Sequence, residues 1–106
     1  MKIYISGKIS DCDNYLDNFL IAEQELRNGY ECEVINPARI MANFPKETRY
    51  VDYMIMSLRL LDDCDTIYLL DNFYNSHGAR IEYMYALSQN KGVLFQSEER
   101  NKYKVV

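Results

Sequence analysis

Four short apolar runs, each separated from the next by a stretch of helical periodicity, constrain this chain more than any other feature. They are Met1–Ser6 (MKIYIS), Glu31–Asn36 (ECEVIN), Asp65–Leu70 (DTIYLL) and Gly92–Ser97 (GVLFQS). Between them, Leu16, Phe19, Leu20, Glu23 and Leu26 set a helix over Asp13–Asn28 with its apolar members on one face. Gly29 stands where a left-handed stop is expected. Val51, Met54, Leu58 and Leu61 set a second helix over Arg49–Asp62, and His77–Gln89 reads as a third. Ala38–Thr48 lacks a period, holds Pro45 and reads as a connection bordering a site. Glu98–Val106 is a charged tail whose end, Tyr103–Val106, suits a short strand or a contact with a neighbour.

Strands alternating with helices call for parallel pairing through right-handed crossovers. The expected fold is an α/β three-layer sandwich, flavodoxin- or Rossmann-like, in one domain over residues 1–106. Its sheet has four or five parallel strands in the order 2-1-3-4(-5). That order puts the topological switch point between strands one and three, where ligands bind beyond the carboxyl ends of strands. The loops Gly7–Ser10 and Asp71–Ser76 then face each other across one crevice.

Residues at that crevice are the candidate site. On the third helix Tyr83, Met84 and Leu87 read as core-facing, while Gly78, Ala79 and Glu82 form the adjacent stripe. Glu82 is then either a solvated helix residue or a nucleophile or general base on the crevice floor. Ser76 is the natural N-cap of this helix. The helix start, where Gly78 admits a ligand close to the backbone, suits a phosphate or carboxylate. Tyr4 belongs to the core or to the site. Gly7, Lys8 and Ile9 form the facing loop, with Lys8 either a surface lysine or a phosphate contact. Asp71, at the end of strand three, is a candidate for sugar hydroxyls. A Ser76–His77 dyad is disfavoured, because adjacent side chains diverge and no G-x-S-x-G elbow is present.

A net charge of −4 argues against a nucleic-acid polymer, whose phosphates need a clustered basic surface. No membrane partner is expected either, since the sequence shows no long apolar span and no leader. Three cysteines without CxxC spacing and a single histidine make a poor zinc set. They read as reduced thiols of a cytoplasmic protein, Cys32 and Cys64 being small core hydrophobes. Ten tyrosines without a tryptophan suggest rings half-buried at an interface or over a ligand.

The segments MKIYISGKIS at the start, VINPA at Val34–Ala38 and CDTIYLLDNFYNSHGARIE at Cys64–Glu82 resemble the nucleoside 2-deoxyribosyltransferase-like superfamily, and most closely its small phage and bacterial branch. The similarity runs from Met1 to about Phe95. It is most specific in the S-x-G-x-x-x-E spacing after a Cys-Asp-plus-apolar strand. The resemblance implies cleavage or transfer at an N-glycosidic bond of a nucleoside 5′-monophosphate, with no cofactor. Glu82 would attack the anomeric carbon to form a covalent glycosyl-enzyme, as in retaining glycosidases. Tyr4 would orient the carboxylate, and Ser76 would contact the sugar or its 5′-phosphate. It also implies a homodimer or higher homo-oligomer, with C-terminal residues near the partner's site. Three positions depart from the pattern. Ser57 stands where relatives carry an aspartate that assists the leaving base, Lys8 where serine is frequent, and Phe73 where the small branch has tryptophan. The loss at Ser57 leaves a non-catalytic nucleotide-binding module as an alternative. A TIR-like enzyme cleaving the nicotinamide bond of NAD is a third reading, by architecture alone.

Overall fold

Residues 1–102 are described by the computed structural model, so Tyr103–Val106, with the expected terminal strand or neighbour contact, lie outside the described residues. Four parallel strands, β1 (Lys2–Ser6), β2 (Glu33–Ile35), β3 (Thr66–Leu69) and β4 (Gly92–Phe95), form one sheet in the order β2-β1-β3-β4. This is the expected α/β, flavodoxin/Rossmann-like arrangement. β1 sits in the middle, pairing Ile3 with Val34 on one side and Tyr4 with Ile67 on the other.

Alternation along the strands divides the interior in two. Ile3, Ile5 and Tyr68 pack with Phe19, Ala22 and Leu26 of α1 (Tyr15–Gly29). Tyr4, Ile67 and Leu69 face the opposite layer, packing with Leu61 of α3 (Tyr50–Asp62) and Ala86 of α4 (His77–Ser88). Two shorter helices, α2 (Pro37–Met41) and α5 (Gln96–Asn101), complete the chain, and a 3₁₀ turn at Phe73–Asn75 leads into α4.

Several expected details change. α2 occupies the start of the segment read as a connection. Asn36 caps it, accepting a hydrogen bond from the Arg39 N–H at 3.3 Å, and Pro37 takes the first helical position, where its missing N–H costs nothing. β4 stops at Phe95 and the tail turns into α5. There the buried Gln96 side chain accepts from the Asp71 N–H and donates to Glu25. Gly29 is the last residue of α1, and no glycine adopts positive φ. The helix ends instead at an extended Tyr30 whose N–H reaches the Leu26 carbonyl. Leu16 and Leu20 lie on the exposed side of α1, whose buried face is Phe19, Ala22, Glu23 and Leu26. Val51 is likewise exposed on α3.

The two switch-point loops are tied together. Lys8 N–H donates to the Asn72 side chain at 3.0 Å, and Leu70 N–H to the Ser6 carbonyl at 2.9 Å. Gly7 lies against Leu70 so closely that a Cβ there would meet Leu70 Cδ1 at 2.6 Å. Among the described residues no helix is long and apolar enough to cross a membrane.

Candidate active site

α4 packs on β3 and β1 through Ala79, Glu82 and Ala86, whose two alanines bring it close to the sheet. That places a carboxylate, only 6% exposed, against the strand at the centre of the fold. Met84 and Leu87, expected in the core, are 69% and 51% exposed, and Tyr83 packs edge-on with Phe73 and Phe95. Choosing the largest apolar residues as the inward face therefore rotates the helix the wrong way. The solvated reading of Glu82 is ruled out by its burial. Phe73 belongs to this aromatic cluster and does not line the cavity.

β1 supplies both partners of the carboxylate. Tyr4, with no exposed surface, donates its hydroxyl hydrogen to Glu82 Oε2, and the Ser6 hydroxyl donates to Oε1 at 2.8 Å. Positions 4 and 6 share a face because side chains alternate along a strand. That period-two relation was the signal that would have added Ser6 to the candidates. Burial pushes the Glu82 carboxyl from its ordinary 4.5 up to about 7, against the opposing pull of the Tyr4 and Ser6 hydrogen bonds. The Tyr4 hydroxyl is driven well above its ordinary value, by burial first and then by the nearby Glu82, while the Ser57 hydroxyl acts in the opposite direction.

Glu82 forms part of the wall of a cavity of about 490 Å³, within the usual range of small-molecule sites. β1 contributes Tyr4 and Ile5 to its walls. The first loop contributes Gly7, Lys8, Ile9, Ser10 and Asp11, the last at a left-handed φ of 57°. The start of α4 contributes Ser76, His77 and Gly78. Tyr50, Tyr53, Met54 and Ser57 line α3 at one-face spacing, Tyr15 and Phe19 come from α1, and Pro37 and Met41 from α2. The α3 stripe was readable as i, i+3, i+4, i+7, but a core-facing stripe through Val51 competed with it. Tyr53 is braced by stacking on Phe44, ring centres 5.5 Å apart. Tyr50 and His77 approach to 6.4 Å across the mouth. A Cβ on Gly78 would lie 3.2 Å from Met54 Sδ, so glycine keeps α3 and α4 close at the mouth.

The α2 wall is held from behind by Glu23. Its carboxylate accepts from the Asn36 amide and the Arg27 guanidinium and faces Arg39 at 3.5 Å. Ser76 caps α4, its hydroxyl accepting from the Ala79 N–H at 3.1 Å. The structure thus brings Tyr4, Gly7, Lys8, Ile9, Ser76, Gly78 and Glu82 around one cavity. Asp71 stands apart: it is absent from this cavity's lining, and its carboxylate lies 3.4 Å from Arg100 in a separate shallow cleft. Among the described residues no group of three His, Cys, Asp or Glu side chains is arranged to hold a metal ion.

Chemically, the arrangement is a buried carboxylate, oriented through both oxygens, at the edge of a cavity whose walls include four tyrosines and two methionines. Lys8 and the amide-rich start of α4 also border the cavity, the latter beside Tyr50. No curated protein matches the chain. A family described as a domain of unknown function (DUF4406) matches residues 1–95, and the chain belongs to it.

Proposed function

We propose that the chain is an N-glycosidic bond hydrolase or transferase acting on a (deoxy)nucleoside 5′-monophosphate or related nucleotide. The observation that carries this reading is the Glu82 carboxylate, fixed by Tyr4 and Ser6 at the cavity. The superfamily resemblance of the surrounding motif supports it. Glu82 attacks C1′ as the bond to the base breaks, and its charge stabilises the oxocarbenium-like transition state. Water or an acceptor base then displaces the glutamyl ester, so the sugar retains its configuration. Tyr4 and Ser6 hold the carboxylate in line, while Lys8, Ser76 and the α4 amides receive the phosphate. No redox or metal cofactor enters the scheme.

Incubating the full chain with a panel of nucleoside monophosphates and following free base tests the proposal. Base release from at least one of them, abolished in Glu82→Gln, is the expected result. No release from any overturns it. Ser57, a buried hydroxyl where relatives carry an acid, favours a second reading, a module that binds a nucleotide without cleaving it. Recovery of intact bound nucleotide from wild type, with Glu82→Gln binding equally well, selects that one.

The proposal includes a cytoplasmic setting, consistent with three free cysteines, and a homodimer. α3 and α4 expose Val51, Ile55, Met84 and Leu87, apolar side chains that a second copy would cover. A monomer mass in sedimentation velocity at micromolar concentration overturns the dimer.

A further inference from the structure

Glu82 is a buried carboxylate that forms no ion pair among the described residues. The chain's other buried glutamates are paired: Glu23 with Arg27 and Arg39, and Glu99 with Lys102. Glu82 receives hydrogen bonds from two neutral hydroxyls, and among the described residues no ion pair includes it. Buried charges are normally compensated by an opposite charge, because desolvation is expensive. Here the uncompensated charge borders a cavity large enough for a ligand. Tyr50 and Tyr53 line the same cavity, Tyr50 within electrostatic reach of Glu82, and the face of such a ring attracts a cation.

Resting on the glycosidase reading of Glu82, we propose that the site takes N-glycosides of ribose 5-phosphate whose leaving ring is positively charged at the glycosidic nitrogen, as in a pyridinium ribotide. The substrate then supplies the missing countercharge. A cation beside the carboxylate also favours its ionised, nucleophilic form.

The chemistry balances without a proton donor. Glu82 forms a bond to C1′ while the C1′–N bond breaks. The electron pair of that bond neutralises the ring, which leaves uncharged. Water then adds at C1′, the glutamate leaves as carboxylate, and one proton passes to solvent. A neutral purine, by contrast, leaves well only when protonated. The groups that touch Glu82 are poor acids for that purpose, since the Tyr4 hydrogen is committed to the carboxylate and Ser6 is an aliphatic hydroxyl, while the nearby Tyr50 is a phenol raised further above its ordinary value by burial and by the Glu82 charge.

Nicotinamide mononucleotide and AMP share the ribose 5-phosphate and differ in the ring, so they make a direct comparison. The expected result is nicotinamide release at a kcat/KM at least about 100-fold above adenine release from AMP or dAMP, the order of an acid-catalysis deficit. Cleavage of AMP or dAMP at an equal or higher rate overturns this inference and leaves the glycosidase reading standing. No release of nicotinamide overturns this inference whatever other nucleotides do, and no base release from these three or from the wider monophosphate panel overturns both. Binding gives an independent check on wild type. The reduced, uncharged dihydro form of nicotinamide mononucleotide should bind at least about tenfold more weakly than the oxidised form. Equal binding of the two forms overturns the countercharge.

Discussion

Replacing Glu82 by glutamine removes a titrating proton from the interior while nearly preserving the side chain's volume; the amide keeps one acceptor oxygen, and its NH2 donates to the hydroxyl that faced the other carboxylate oxygen. In wild type the carboxyl rises from 4.5 to about 7, because burial penalises its ionised form more than Tyr4 and Ser6 favour it. An acid whose pKa is raised by folding binds its proton more tightly in the native state. Its stabilising contribution is therefore complete below pH 4.5 and is lost as pH climbs through 7. At about 1.4 kcal/mol for each tenfold change, the loss comes to roughly 3 kcal/mol by about pH 8. Glutamine does not titrate, so the difference between the two unfolding free energies isolates this group from every other one. Urea unfolding of both proteins from about pH 4 to pH 8.5, followed by circular dichroism, should show the wild type falling relative to Glu82→Gln by about that amount. Most of the fall should come between pH 5 and about 7.5. Two stability curves that stay parallel across this range refute the claim that the carboxylate is buried and uncompensated.

Tyr4→Phe keeps the buried ring and removes one donor to the carboxylate, an interaction of about 1.5–3 kcal/mol for a charged acceptor. Base release should fall roughly 10- to 100-fold, and the alkaline rise of the pH–rate profile, set near pH 7 by Glu82, should move upward; an unmoved profile argues against the hydrogen bond's role. Ser76→Ala removes the α4 cap and should lower unfolding free energy by about 1 kcal/mol, and chemical denaturation showing no change would count against the Ser76–Ala79 bond. Asp71→Asn should leave base release within about twofold of wild type, because the carboxylate faces Arg100 away from the cavity; a large loss would mean that the ligand extends to that cleft.

Strand order and the facing loops were legible because four apolar runs of matching length leave few ways to build a parallel sheet. The interior of Tyr4, Ile67 and Leu69 follows from the same alternation. α2 was carried by two adjacent residues, Asn36 and Pro37, whose capping signal is clear once helices of five residues are admitted. α5 was not legible as a helix: its sequence is polar, and what anchors it is long-range, Gln96 to Asp71 and Glu25.

The face of α4 failed for a more instructive reason. Periodicity ranks residues by hydrophobicity, so it selected Tyr83, Met84 and Leu87 and turned Glu82 aside. Close packing against a sheet selects by size as well, and Ala79 and Ala86 allow an approach that the larger side chains would block. Once the alanines face inward, Glu82 lies between them along the helix and has to be buried too. Only the two hydroxyls on β1 make that placement tolerable, and Ser6 is nearly invisible in a strand read for its apolar members. A carboxylate held inside at this energetic cost, with no basic partner among the described residues, violates the patterning rules that the rest of the chain obeys. Such a violation is expected where a fold trades stability for chemistry, so the misplaced face and the candidate nucleophile have one physical origin.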